Sequence, residues 1–334
     1  MIATFEQLRH VLRLVFPDTA PPKPLHLVEP VALVKQGVAD VHDAARAART
    51  TVQRIRRLAD ASDPLAELVG ATPESAPATE ERVRVSLGQL VIGNLAERVF
   101  EDFYKANVGT TELELKDDRG ARGDTDYLVF NGSGRQIFRI NIKFHGSLFR
   151  RARELVGLDP EDCFALATYK IFAALKKQET EHLPYIFVII GVPGLTGRIV
   201  GEAIPSVLVD LCTLVREAPS LGSVRTIEDQ IVDRLTEAAG AFAFEEAARG
   251  FTAQIQRADW YVLSARRADG LLRQNLFERA YALRVRAFAR NYRGAELDMH
   301  FSLSSDLHAL TELLQVLRDH GMPGLVSRLE RGTI

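Results

Sequence analysis

Cysteine is scarce in this chain. There are two in 334 residues, Cys163 and Cys212, far apart and in no CxxC pair. That excludes a disulfide framework and a cysteine-rich zinc site, and it suits a reducing cytoplasm, the expected location. No apolar run approaches the ~20 residues that span a bilayer. The opening stretch from Met1 to Phe16 is amphipathic with charges inside it, unlike a secretory signal, so no membrane partner is expected. Net charge is also small, −2 in all, and any nucleic-acid surface must come from local asymmetry. The GxxxxGK[ST], GxGxxG and GxSxG patterns are absent, as is zinc-finger spacing. NTP-driven translocation, dinucleotide redox and serine-hydrolase chemistry therefore lack their usual marks.

What is there is an ordinary soluble composition, 46% hydrophobic and 26% charged, long enough for two domains or one domain with large additions. Thr4 to Phe16 reads as a helix with Thr4 and Gln7 placed as a capping box. Pro17 to Pro24 is a proline-rich linker. A long amphipathic helix is expected from about Pro30 to Ala59, with Ala44, Ala48, Val52 and Ile55 on its apolar face. Gly70 to Thr79 reads as a flexible joint and a first domain boundary. A helix over about 86–106 follows, then strands over 113–115, 124–130 and 136–144, the last two joined by the hairpin signal NGSG at Asn131 to Gly134. Asp159 and Pro160 give an N-cap and a first-turn proline, opening a helix to about Gln178. Pro184 to Val192 (PYIFVIIGV) reads as a strand buried on both faces. The remainder mixes helices with strands near 260–265, 281–289 and 296–303 and closes on helices from about Ser305. This divides the chain into a helical region (1–80), a core (81–195) and a C-terminal α/β region (196–334).

Hydrolysis of a phosphodiester with metal ions needs carboxylates converging on one point, with a lysine to orient water or offset phosphate charge. A short strand suits this, because residues two apart point to the same side. Asp124 and Asp126 share one face of their strand, and Asn141, Lys143 and His145 share one face of the next. On the preceding helix Glu97 and Glu101 sit four apart, on one side. Glu114-Leu-Lys116 also spells acid-x-lysine, but it precedes the aspartate strand and reads as an exposed strand face.

The order helix, three-stranded meander, helix, strand, together with these residues, resembles the PD-(D/E)xK superfamily of restriction and repair nucleases. The family's helix glutamate, often preceded by glycine, is matched by Gly93-Asn-Leu-Ala-Glu97. Its strand aspartate is matched by Asp126 in Gly123-Asp-Thr-Asp-Tyr-Leu-Val-Phe130, with Asp124 as the alternative. Its acid-x-lysine is matched by Asn141-Ile-Lys143. The resemblance covers about a third of the chain. It implies an α/β fold with a nuclease-like core between an N-terminal helical and a C-terminal α/β addition. It also implies Mg²⁺ or Mn²⁺ as cofactor and DNA as partner. The expected activity is that of a metal-dependent DNA endonuclease of restriction or genome-defence type.

This chain departs from the family at Asn141, which brings no negative charge to a metal. Three explanations are open. The acid has moved to the following helix, as Glu154 or Glu161; or Asp124 and Asp126 together supply the charge; or the domain is a weakened nuclease fold that binds DNA or a partner protein.

Charge patterning points to nucleic acid. Arg135, Arg139, Lys143, Arg150, Arg151 and Arg153 surround the candidate site, and Arg139, His145, Arg150, Arg151 and Arg153 are the expected phosphate contacts. A second group, Arg257, Arg266, Arg267, Arg273, Arg279, Arg284, Arg286, Arg290 and Arg293, interleaves with Trp260, Tyr261, Tyr281 and Tyr292. Two-fold cutting of DNA would favour a homodimer.

Overall fold

The structure, a computed structural model, describes residues 4–17, 20–21, 25–62, 67–68, 76–108, 113–119, 125–217, 224–237, 242–284 and 295–334. In chain order its helices are α1 (Phe5–Val15), α2 (Val28–Lys35), α3 (Val41–Ala47), α4 (Val52–Ala59), α5 (Ala76–Asn107), α6 (Ala152–Val156), α7 (Thr168–Glu181), α8 (Gly197–Ala203), α9 (Ser206–Glu217), α10 (Val224–Glu237), α11 (Glu245–Gln256), α12 (Ala265–Arg279) and α13 (Leu310–Arg331). The strands are β1 (Leu113–Asp117), β2 (Tyr127–Asn131), β3 (Gln136–His145), β4 (Cys163–Ala167), β5 (Tyr185–Gly191), β6 (Asp259–Ser264), β7 (Ala280–Arg284), β8 (Ala295–Ser302) and β9 (His308–Ala309). The chain forms two compact units, each from two separate stretches: residues 1–94 with 196–251, and residues 95–195 with 252–334. The division falls inside α5 and inside α11.

The described part of the first unit is helical. Its capping box is present as expected, Thr4 Oγ1 accepting from the Gln7 amide at 3.2 Å and Gln7 Oε1 from the Thr4 amide at 2.8 Å. The single helix expected from Pro30 to Ala59 is instead three. Side-chain oxygens inside the run restart the helix: Asp40 accepts from the His42 amide at 2.7 Å and Thr51 from the Arg54 amide at 3.1 Å. Gly37 and Arg49 take positive φ just before those caps, which an uninterrupted helix forbids. The expected joint at Gly70 to Thr79 lies partly outside the described residues, and from Ala76 it is helix. Further along, α5 and α8 cross with backbones in contact. A Cβ on Gly88 would sit 1.9 Å from the Gly197 carbonyl oxygen, and one on Gly201 would sit 2.3 Å from the Arg84 carbonyl oxygen. Only glycine allows so close an approach.

The second unit holds both sheets. The larger is mixed, in the order β1-β2-β3-β5-β6-β9, and the smaller has the order β4-β8-β7. The meander β1-β2-β3 is antiparallel, with Leu115 opposite Val129 and Tyr127 opposite Ile140. From β3 the chain crosses over to β5, which lies parallel, Asn141 opposite Phe187 and Lys143 opposite Ile189. The β5 run alternates its burial between two layers. Tyr185, Phe187 and Ile189 pack with Ile171 and Ala174 of α7, Ala268 and Leu272 of α12, and Phe164 and Phe301 of the small sheet. Ile186 and Val188 line a small apolar cavity of about 30 Å³ with Phe100, Phe103 and Tyr104 of α5 and Leu313 and Leu314 of α13. The structure therefore gives a mixed α/β fold whose central sheet draws two strands, β6 and β9, from the last third of the chain.

Two expected elements differ. The stretch after Asp159 forms β4 before the helix starts at Thr168, because Cys163 to Ala167 pairs with β8, Leu166 opposite Met299. The last helix is one element by hydrogen bonding but breaks at Gly321, which takes φ +62°, two residues before Pro323. Of the strand expected at 281–289, Ala280–Arg284 is β7 and the rest lies outside the described residues.

Candidate active site

The candidate residues lie on three elements of the second unit. Glu97 is on α5, Asp126 immediately precedes β2, and Asn141 and Lys143 are on β3. Antiparallel pairing of β2 with β3 carries Asp126 to β3: its backbone N–H donates to the Ile140 carbonyl at 3.1 Å, and its carboxylate accepts from the Ile142 N–H at 2.5 Å. Asn141 and Lys143 point the same way, as alternation requires, and the Lys143 ammonium donates to the Asn141 side-chain oxygen and to the Ile142 carbonyl, the latter at 3.3 Å.

Asp126 is the common neighbour of the group. Burial pushes its carboxyl above the ordinary range, while the Ile142 amide and the positive charges of Lys143 and Arg119 pull it down. Glu97, with its side chain only 20% exposed, is pushed up to about 7. Burial is the main cause, and the Asp126 and Asp117 charges add to it against the hydrogen bond and charge of Arg119. Both carboxyls are thus held toward their protonated forms chiefly by burial, and the charge of Asp126 is felt at Glu97.

Arg119 is the residue that pattern reading missed. It donates to Glu97 at 2.5 Å, to Asp117 at 2.5 Å and to Glu101 at 3.4 Å, and it lies over the Tyr127 ring. Tyr127 in turn donates its hydroxyl to Glu101 at 2.8 Å. These carboxylates hold the guanidinium firmly in its charged form. The signal was present only as Asp117-Asp118-Arg119, between two expected strands.

The remaining expected residues divide. Asp124 lies outside the described residues. Glu154 is on α6, 62% exposed, and its carboxylate is taken up by Arg151, which holds it below the usual range. The structure does not bring it to Asp126, and Glu161 is also exposed. Arg139 is not a surface contact: its side chain is 12% exposed, and its guanidinium bonds Asp118 at 3.2 Å, Glu181 at 2.5 Å and Thr125 at 3.0 Å. His145 is buried at the end of β3, edge-on to Phe164, with its imidazole driven toward the neutral form by burial. It cannot meet a phosphate there. The close approach that encloses it depends on Gly146, where a Cβ would meet the Leu195 carbonyl at 1.8 Å. Arg150, Arg151 and Arg153 are exposed; Arg151 pairs with Glu154 and Arg153 with Asp159 at the surface. In the C-terminal group, Trp260 stacks on Phe103 and Phe100 in the sheet's apolar layer, so it is no platform for bases. Arg273 pairs with Asp269, and Arg267 donates to the Asp306 carbonyl. The side chains of Arg279, Tyr281, Arg284, Arg286, Arg290, Tyr292 and Arg293 lie outside the described residues.

As a metal site the donors fit a hard cation. They are two desolvated carboxylates and an amide oxygen, all oxygen ligands of the kind Mg²⁺ and Mn²⁺ take. Among the described residues no group of three or more His, Cys, Asp and Glu stands together to hold a metal ion. No helix among the described residues is long and apolar enough to cross a membrane.

No family model matches this chain, and no curated protein or solved structure matches it.

Proposed function

We propose that this protein is a metal-dependent nuclease that hydrolyses phosphodiester bonds in DNA. The observation that carries the reading is Asp126, held to β3 by the Ile142 amide, whose charge acts on the buried Glu97 of α5 and which feels the charge of Lys143 on β3. Asp126, Glu97 and Asn141 would hold Mg²⁺ or Mn²⁺, which when bound would supply a Lewis acid for the scissile phosphate and acidify a bound water. Lys143, anchored by Asn141 and the Ile142 carbonyl, offsets phosphate charge and orients the attacking water. Asp126, fixed by the Ile142 amide, presents its carboxylate in one direction without side-chain rearrangement. The exposed Arg150, Arg151 and Arg153 supply phosphate contacts, because surface ion pairs such as those with Glu154 and Asp159 are worth ~1 kcal/mol or less and exchange readily.

The test is cleavage of plasmid and linear DNA with Mg²⁺ or Mn²⁺. Wild-type protein is expected to cut. Glu97→Gln, Asp126→Asn and Lys143→Ala are each expected to lose about a hundredfold or more, and Asn141→Asp to preserve or raise activity. Glu154→Ala is expected to cut as wild type, since Glu154 is tied to Arg151 at the surface. No cleavage by either wild type or Asn141→Asp would sink the reading.

A second reading has its own observation. The cation on Glu97 is Arg119, and the third acid is an amide already engaged by Lys143, an arrangement that suits a nuclease fold retained for binding. An inactive wild type made active by Asn141→Asp would favour it.

A further inference from the structure

The three helices that stand where one was expected make a motif of their own. α2, α3 and α4 pack against one another. They bury Val31 and Ala32, Ala44 and Ala45, and Ile55 and Leu58 respectively. Lys35 of α2 donates to the Ala59 carbonyl at the end of α4 at 2.7 Å. Only Ala48 to Thr51 lie between α3 and α4. Two short helices joined by a tight turn over a shared apolar core make a helix-turn-helix, whose second helix enters the major groove of duplex DNA.

The turn holds a residue that its backbone does not favour. α2 and α3 end in the same hydrogen-bond pattern. After α2 the Gly37 amide donates to the Val34 carbonyl and the Val38 amide to the Leu33 carbonyl, both at 3.0 Å. After α3 the Arg49 amide donates to the Arg46 carbonyl at 3.1 Å and the Thr50 amide to the Ala45 carbonyl at 2.9 Å. This ending needs one residue in the left-handed conformation. Gly37 takes it at φ +69° without strain, whereas Arg49 takes it at φ +51° with a side chain attached. An exposed arginine kept in a conformation that suits glycine points to a use for its charge.

The outer face of α4 is polar and mostly basic. Gln53, Arg56, Arg57 and Asp60 follow one another at i, i+3, i+4 and i+7, and all are exposed. Arg57 pairs with Glu67, and Arg54, beside the stripe, donates to the Glu67 and Leu68 carbonyls at 3.4 and 3.0 Å. On α3, Arg46 meets Asp43 at 3.4 Å at the surface, and Asp40 serves as the cap of that helix. The side chains of Arg49, Gln53 and Arg56 make no hydrogen bond or ion pair among the described residues. From Val41 to Ala59 five arginines face one acid, Asp43, so the surface attracts phosphate. Asp60 is the acid of the stripe itself. It stands at the far end, seven residues and about 10 Å from Gln53 at 1.5 Å per residue. Second helices of this motif touch base edges with their N-terminal residues, where Gln53 and Arg56 stand. Glutamine matches the edge of adenine and arginine that of guanine.

We propose that α2 to α4 form a helix-turn-helix that reads duplex DNA, with Gln53 and Arg56 of α4 at base edges in the major groove and Arg49 of the turn on a phosphate. A preference among DNA sequences then resides in the first unit. The helices belong wholly to that unit and the binding is measured without metal, so the proposal does not depend on the nuclease reading; where both hold, it supplies the choice of sequence.

The experiment uses the full chain in EDTA. A duplex pool with about 20 randomised base pairs, two helical turns, is selected for binding. The enriched duplex is then compared with the starting pool by anisotropy over a salt series. Wild type is expected to enrich one sequence motif. Gln53→Ala with Arg56→Ala is expected to lose about tenfold or more of the preference for that motif. Arg49→Gly is expected to keep the motif and to lower the salt slope by about 0.9. It is also expected to melt no lower than wild type, because glycine accepts the left-handed turn. Thermal melts control for folding in the double variant. A wild type that enriches no motif overturns the proposal, as does an unchanged motif in the double variant. An unchanged salt slope in Arg49→Gly overturns the role given to Arg49. Self-association on gel filtration that the double variant loses, with duplex affinity intact, makes the face a protein contact and overturns the proposal too. A motif bound in EDTA by a protein that never cuts DNA leaves the helix-turn-helix standing and removes the nuclease reading. Metal-dependent cutting with no preferred motif does the reverse.

Discussion

At Glu97 the cost of burial outweighs an ion pair. Arg119 touches the carboxylate, yet the group is pushed up to about 7, so at neutral pH it is poised between its two forms. The folded state holds this proton over a range where the unfolded chain, near 4.5, has released it. Its contribution to stability is therefore full below about 4.5 and is lost as pH rises through about 7. Asp126 and Glu228, also raised by burial, act with the same sign. The difference between wild type and Glu97→Gln isolates the one residue. Denaturant melts are expected to show wild type losing stability relative to the variant between about pH 4.5 and 7, and a constant difference across that window would refute the assignment. On the proposed reading Arg119 would compete with a divalent ion for Glu97, so Arg119→Gln is expected to bind Mn²⁺ about tenfold tighter by calorimetry, a tenfold change being about 1.4 kcal/mol. Equal affinities would show that the guanidinium and the ion do not share a site. That Asn141 and Lys143 share a side of β3 was legible, because strand alternation fixes it. Arg119 was not, because a turn residue reaches its partners through space. Arg139 and His145 share that same strand face, but alternation does not say what lies over it; Glu181, Asp118 and Phe164 do.

Among elements, the crossing of α5 and α8 gives the sharpest contrast. Gly88→Ala would place a methyl 1.9 Å from the Gly197 oxygen, and the helices must separate to admit it. A loss of about 3 kcal/mol or more is expected in thermal or urea unfolding. Gly93, on the same helix, has nothing within 4 Å of an added Cβ. Gly93→Ala is expected to gain about 0.5–1 kcal/mol, since glycine is the poorer helix former. If both changes act alike, the crossing is not as close as described. Element order was largely readable where period and turn chemistry agree, as in the meander with its NGSG turn and the apolar run of β5. It failed where a local signal competed with a distant partner. Asp159-Pro160 resembles a helix start, but Cys163 to Ala167 finds β8 more than a hundred residues away. The reverse happened at Asp40 and Thr51, where caps inside an apolar periodicity divided one expected helix into three.

For the whole molecule, the sheet sets what can fold alone. The core expected at residues 81–195 ends just after β5, but β5 is covered on its outer edge by β6, Ile189 opposite Tyr261 and Phe187 opposite Leu263. A fragment ending at residue 195 exposes the edge of an apolar strand with no pairing partner. It is expected to be aggregated by gel filtration and to lack a cooperative melt; a monomeric, cooperatively melting fragment would refute this. The same pairing has a consequence during synthesis. Strand β5 leaves the ribosome about 70 residues before β6 is complete, which at ~5–20 residues per second is roughly 4–15 s. Through that interval the run from Tyr185 to Gly191 is a finished strand waiting for its neighbour, and it is the interval in which a chaperone that shields bare strand edges would raise the yield of native protein most.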